Sequence, residues 1–256
     1  MEVVRRFTKG AFYHLKVIKL FRSNPKYWPY VLGPLIINIA LYLGAFLLFL
    51  NYLMPMLQGI ELSETPDHWY SAVAPVYNFL LNAASVIVML AVSAFTFVYI
   101  LLVVEAPFLA LLSEKIEEDL YGNVYESGLR PLMKGVLLGI KNSVIFAVIT
   151  LFLTALFFLG NFILPGICAV MAVFVIGFYY GLSFLTYSAE LRLYSYFQLR
   201  KIAKKYKPEV LGLGVVCYLV FLIPVVAAFF LPVAVVAATM MYNEVVEGKA
   251  QLKIEE

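Results

Sequence analysis

Apolar residues in this chain come in runs much longer than a soluble core requires. The first, Tyr30 to Leu57, carries Pro34 and Asn38 within it. At about 1.5 Å per residue it is long enough to cross a hydrocarbon layer about 30 Å thick. Ala72 to Leu112 is apolar over roughly twice the length one crossing needs, so it predicts either a very long tilted helix or a crossing helix with a broken extension. Pro75 and Pro107 mark the plausible breaks. Two further runs, Ser143–Leu159 and Pro165–Tyr187, are joined by the small uncharged turn GNFILPG and predict an antiparallel helical hairpin. A last run, Val210–Tyr242, contains FLIPVVAAFFLP; Pro224 and Pro232 supply a place to turn, and Gly212 and Gly214 help to shape a second, shallow hairpin.

Polar and amphipathic stretches separate these runs. In VVRRFTKGAFYHLKVIKLFRS, Val4, Phe7, Ala11, Leu15 and Ile18 recur at helical spacing among Arg5, Arg6, Lys9, Lys16 and Lys19. That pattern predicts a surface helix, residues 1–28 forming an amphipathic N-terminal segment on an anionic membrane face. QGIELSETPDHWYS is a polar loop with no Lys or Arg. Ser113–Gly122 gathers Glu114, Glu117, Glu118 and Asp119 around Lys115, a charged helical continuation able to pair with the basic Arg192–Lys207 segment. AELRLYSYFQLRKIAKKYK predicts another surface-bound helix, suited to a membrane face rather than to nucleic acid. Residues 243–256 form a polar tail. No sequence repeat stands out.

Composition and charge agree with a membrane solvent. Hydrophobic residues make up 63% of the 256 positions and charged ones 14%, against about half and a quarter in a soluble domain. The net charge of +3 matters less than its placement. Basic residues number seven before Trp28, four in Ser113–Lys141, six in Ala189–Pro208 and two in the tail, which accounts for all nineteen. The positive-inside rule then puts both termini on the cytoplasmic side, with the whole chain, 1–256, as one membrane domain. No cleavable signal peptide is expected. Cys168 and Cys217 lie inside apolar runs and behave as small hydrophobes.

GPLIINIALYLGAF in the first span, EAPFLALLSEKIEEDLYG after the second, and LGLGVVCYLVFLIPVVAAFFLPVAVVAATMMY near the end together resemble the CysZ sulfate permease family. That family shares a superfamily with the etoposide-induced membrane proteins. The resemblance implies an all-α integral membrane protein with two long transmembrane helices and two partly penetrating helical hairpins. It also implies a homo-oligomer that passes sulfate into the cytoplasm for cysteine biosynthesis. The family carries paired arginines just before the first span; aligned on the proline of GPLIIN, they fall on Trp28 and Pro29, neither of them basic.

Candidate chemistry is sparse. No metal-ligand cluster, phosphate-loop glycine pattern or catalytic triad is present in the sequence, so neither an enzyme nor a cofactor is expected. The best anion-binding stretch is FRSNPKYW. Ser23 or Asn24 can cap a helix, Pro25 suits its first position, and Arg22 and Lys26 add charge beside the free N–H groups. The alternative is a plain cap whose cations touch lipid phosphates. Glu105 interrupts an apolar run at a cost of about 2.5 kcal/mol or more if it sits at the bilayer centre. It therefore marks either the cytoplasmic interface or a pore, with Pro107, Pro224 and Pro232 as gating candidates. Two functions follow: an inner-membrane sulfate or related anion permease, and a non-transport membrane scaffold or assembly factor.

Overall fold

The computed structural model describes residues 1–53, 55, 72–125 and 129–252. The side chains at 34, 38, 42, 45, 49, 53, 84–106, 129–134, 136, 140, 224, 225 and 228 lie outside that description. Helix α1 runs Glu2–Ser23, a 3-10 turn Pro25–Tyr27 follows, and α2 spans Trp28–Leu48. Helix α3 is Ala74–Tyr121, α4 Leu129–Gly160, α5 Ile167–Leu191, α6 Tyr196–Lys205, α7 Lys207–Phe221 and α8 Pro224–Met241. Among the described residues there is no strand. The polar loop expected between the first two spans lies outside the described residues.

Two compact units divide the chain: 1–32 with 107–256, and 33–106. In the second, α2 leaves Ile36, Ile39, Leu43, Leu47 and Leu48 exposed on several faces, as a helix does when lipid rather than protein solvates it. Helix α3 belongs to both units and resolves the choice the sequence left open. It is continuous over 48 residues, with Pro75 in its first turn and Pro107 inside it. One proline removes one ladder hydrogen bond without ending a helix whose flanks are this apolar.

In the first unit the core is α8. Every side chain from Leu231 to Asn243 is buried, and α1, α5 and α7 pack around it. Small residues make this possible, with Ala234, Ala237 and Ala238 letting neighbours approach. Its one hydroxyl is satisfied: Thr239 donates to Val235 O at 3.0 Å and lies 2.8 Å from Ser113 Oγ of α3.

Both expected hairpins are present. Helices α4 and α5 are joined by a short turn around Gly166, at φ +82°, where only glycine is unstrained. Helices α7 and α8 meet at a two-residue break, Leu222 and Ile223, with Pro224 opening α8. At 15 residues α7 is about 22 Å long, shorter than a hydrocarbon core of about 30 Å. Helix α7 is wedged between α1 and α5 at backbone contact. A Cβ on Gly212 would overlap Phe7 O, and one on Gly214 would overlap Gly177 O.

Helix α1 has a second, buried face besides the aliphatic one read from its sequence. The face it buries is Gly10, Tyr13, His14, Val17 and Phe21, against α7 and α8. Val4, Phe12, Leu15 and Ile18 stay exposed beside the lysines. Packing on protein uses the aromatic face and leaves the aliphatic edge exposed.

Candidate functional site

The segment singled out for anion binding sits where α1 turns into α2. Asn24 does not cap the helix that follows. Its backbone N–H and its side-chain Nδ2 both donate to Leu20 O, at 3.0 and 3.1 Å, closing the end of α1. Trp28, onto which the first arginine of the family pair falls, donates its indole N–H to Phe21 O at 3.2 Å. The Trp28 indole thereby satisfies an end carbonyl of α1, and one amide hydrogen of Asn24 is committed to Leu20 O. Arg22 and Ser23 remain exposed, and Arg22 makes no ion pair among the described residues.

Lys26 is committed to a partner. Its Nζ lies 2.9 Å from Asp119 Oδ2 near the end of α3. The Tyr27 hydroxyl donates to the same oxygen at 3.0 Å, and Lys115 Nζ reaches Oδ1 at 3.2 Å. Burial pushes the Asp119 carboxyl up, but hydrogen bonds from Lys26, Lys115 and Tyr27 outweigh it and hold the group below its usual range. Lys115 also pairs with Glu118 at 2.9 Å.

A second and more deeply buried charge cluster joins α3, α5 and the chain beyond α8. Arg192, just past α5, places Nη1 2.9 Å from Glu117 Oε1 and Nη2 2.9 Å from Oε2. The Arg192 Nε donates to Glu247, Nη2 to Asn243 Oδ1 at 3.2 Å, and the guanidinium stacks 4.6 Å from the Tyr242 ring. Asn123 bridges Glu117 and Asn243, and the Tyr125 hydroxyl also donates to Glu117. Desolvation opposes the Arg192 charge, yet its bonds to Glu117 and Glu247 drive its pKa up. The Tyr125 hydroxyl is pushed up by burial and then by Glu117, so it stays a donor. Nearby, Glu244 accepts from Tyr13 at 2.9 Å, Lys16 at 2.9 Å and Tyr121 at 3.2 Å. On α7, Glu209 takes Arg6 of α1 at 2.6 Å.

The polar tail is thus folded in from its start. Asn243 is fully buried, Glu247 joins the cluster, and Leu252 N–H donates to Leu120 O at 2.7 Å. The sequence signal was available only in part: an acidic block and a basic segment suited to pairing, without the tail residues between them.

Of the gating candidates, Glu105 lies within α3 but its side chain is outside the described residues. Pro107 is exposed on α3, Pro224 opens α8 and Pro232 is buried within it. Arg22 and Lys26 lie at the turn before α2. Among the described residues no group of three His, Cys, Asp or Glu side chains is placed to hold a metal ion.

Four stretches among the described residues are long and apolar enough to cross a membrane: Pro25–Tyr52, Leu137–Gly160, Ile167–Leu191 and Phe229–Val246. With an all-helical fold, lipid-facing apolar surfaces and charge gathered at helix ends, this is a multi-pass α-helical integral membrane protein. The chain belongs to the sulfate transporter CysZ/etoposide-induced protein 2.4 family, whose model matches residues 13–232. That span begins on the buried face of α1 and ends inside α8.

Proposed function

We propose that this protein is a permease or channel that passes sulfate or a related oxyanion into the cytoplasm, supplying cysteine biosynthesis. The observation that carries the proposal is the family match over residues 13–232, which takes in both long helices and the first hairpin and reaches into the second. It acts in the inner membrane as a homo-oligomer, with both termini in the cytoplasm. Supporting this orientation, all nineteen lysines and arginines fall in segments assigned to one side. Arg22, Ser23 and Lys26 are the proposed anion contacts at the start of the first span; Asn24 contributes by shaping the turn. Pro107 and Pro232 each delete a ladder hydrogen bond from a long helix and are the proposed points of flexure for gating, with Pro224 at the hairpin turn and Glu105 on α3.

A second reading is favoured by one specific observation. Trp28 and Pro29 stand where the family pair of arginines would be, and Trp28 is used in capping α1. A non-transport scaffold or assembly factor of the same family would need no anion site. Uptake of radiolabelled sulfate into proteoliposomes, against empty vesicles and with chloride and sulfite as competitors, separates the two. Saturable uptake inhibited by sulfite supports the permease. Uptake equal to empty vesicles from a folded, correctly oriented sample leaves the scaffold.

A further inference from the structure

Three donors from two segments converge on one carboxylate. Lys26 and Tyr27 come from the turn before α2, and Lys115 from the last turns of α3. Both oxygens of Asp119 are engaged, Oδ2 by Lys26 at 2.9 Å and Tyr27 at 3.0 Å, and Oδ1 by Lys115 at 3.2 Å. Two ammonium groups and a phenol around an oxyanion are also the donor set that a sulfate or phosphate group would take. The lysine side chains are 48% and 38% exposed while Asp119 is 15% exposed and Tyr27 is buried, so the two lysines are the open part of the seat.

We propose that Asp119 is a tethered occupant of an oxyanion seat formed by Lys26, Tyr27 and Lys115, and that the need to displace it selects divalent oxyanions over chloride. This rests on the permease reading above. A tethered carboxylate competes at an effective concentration on the order of millimolar or higher. Chloride would replace one negative charge with another, lose its translational freedom and bring no array of acceptor oxygens. Sulfate brings a second charge and several acceptors, enough for both lysines and the phenol together. Glu118 holds Lys115 at 2.9 Å, so Lys115 stays near its place when Asp119 swings away. Lys26 has no second carboxylate among the described residues, and its charge is the one that is released. The seat thereby gives Lys26 a role that needs no arginine at Trp28 or Pro29.

Two readouts on the full chain test this. Sulfate binding is measured by isothermal titration in detergent, and sulfate uptake with chloride competition in proteoliposomes. Asp119→Asn is expected to tighten sulfate binding by about fivefold, the size of one exposed charge pair, and to make uptake sensitive to chloride. Asp119→Glu, which keeps a tethered charge, should keep uptake resistant to chloride. Adding Lys26→Gln to Asp119→Asn should remove the gain. An unchanged thermal midpoint and elution volume for Asp119→Asn establish that it folds. Parental sulfate affinity and chloride resistance in Asp119→Asn would overturn the seat. A binding gain without flux in any variant would keep the seat and overturn the permease.

Discussion

Arg192 and Glu117 face each other as a fork, with Nη1 and Nη2 each 2.9 Å from a separate carboxylate oxygen across 75 positions of sequence. Glu117 is fully buried and Arg192 nearly so. A buried pair of this kind adds little over well-packed apolar residues, but removing one partner strands the other. Arg192→Ala leaves the buried Glu117 without its cation and is expected to cost about 3–5 kcal/mol. The joint change Arg192→Met with Glu117→Leu should cost clearly less than the two single changes added together. A double-mutant cycle of thermal unfolding in detergent measures the coupling; additive losses would mean that the fork is not an energetic unit.

The residues after Val246 act as a strap on α3. Glu247 reaches Arg192, Lys249 reaches Glu247 at 2.8 Å, and Leu252 N–H closes on Leu120 O at 2.7 Å. Ending the chain at Val246 removes all three but leaves the Arg192–Glu117 fork intact. The expected loss is about 1–3 kcal/mol, the scale of a few hydrogen bonds to partly buried charges. Faster limited proteolysis near Tyr121 and Gly122, with the remaining helices still protected, would accompany it. An unchanged melting curve and cleavage pattern would show that the strap contributes nothing to stability.

Gly214 on α7 sits where the backbone of α5 leaves no room for a methyl group, since its Cβ would overlap Gly177 O. Two helix backbones would have to separate, so Gly214→Ala is expected to cost about 1–3 kcal/mol through overpacking. Among the described residues, Gly44 on α2 has nothing within 4 Å of where a methyl group would sit. There, alanine should be neutral or stabilising by up to about 1 kcal/mol, because it restricts the unfolded chain and favours helix. Melting temperatures of the two variants in the same detergent provide the comparison. A Gly214→Ala protein as stable as the parent would mean that α5 and α7 can slide apart freely.

What could be read from sequence divides along the range of the interactions. Runs such as Tyr30–Leu57 and Pro165–Tyr187 announce membrane helices because the bilayer sets their length locally. The turn at Leu222–Ile223 was legible for the same reason: Pro224 marks it in the chain itself. The buried face of α1 was not, because it is made of Gly10, Tyr13, His14 and Phe21, which form no aliphatic pattern. The bond from Lys26 to Asp119 lies beyond any local pattern, since Lys26 precedes the first span and Asp119 sits near the far end of the long α3. Arg192 with Asn243 is a similar case: position 243 looks like the start of a solvated tail until the helix before it is seen to be buried on every side.

His14 gives the protein a dependence on mild acid. The ring is 3% exposed, stacked 5.1 Å from Phe230, with Nδ1 3.0 Å from Ala11 O and Nε2 3.3 Å from Cys217 Sγ. A carbonyl can only accept, so Nδ1 carries the proton and Nε2 is left to accept from the thiol. Among the described residues no acid pairs with the ring to favour a second proton, and burial pulls the imidazole pKa down to about 4 from an ordinary 6.5. Between those values the unfolded chain binds a proton that the folded one excludes. The stabilisation is therefore complete above about pH 6.5 and is lost as pH falls towards 4, by about 3 kcal/mol at most. Asp119 and Glu247, held below the carboxylate range by their cations despite burial, lose their contribution only at still lower pH. The two windows separate, so unfolding of His14→Gln followed from pH 7 to 4.5 should show a flatter pH dependence than the parent. Equal slopes for the two proteins would place the acid sensitivity elsewhere.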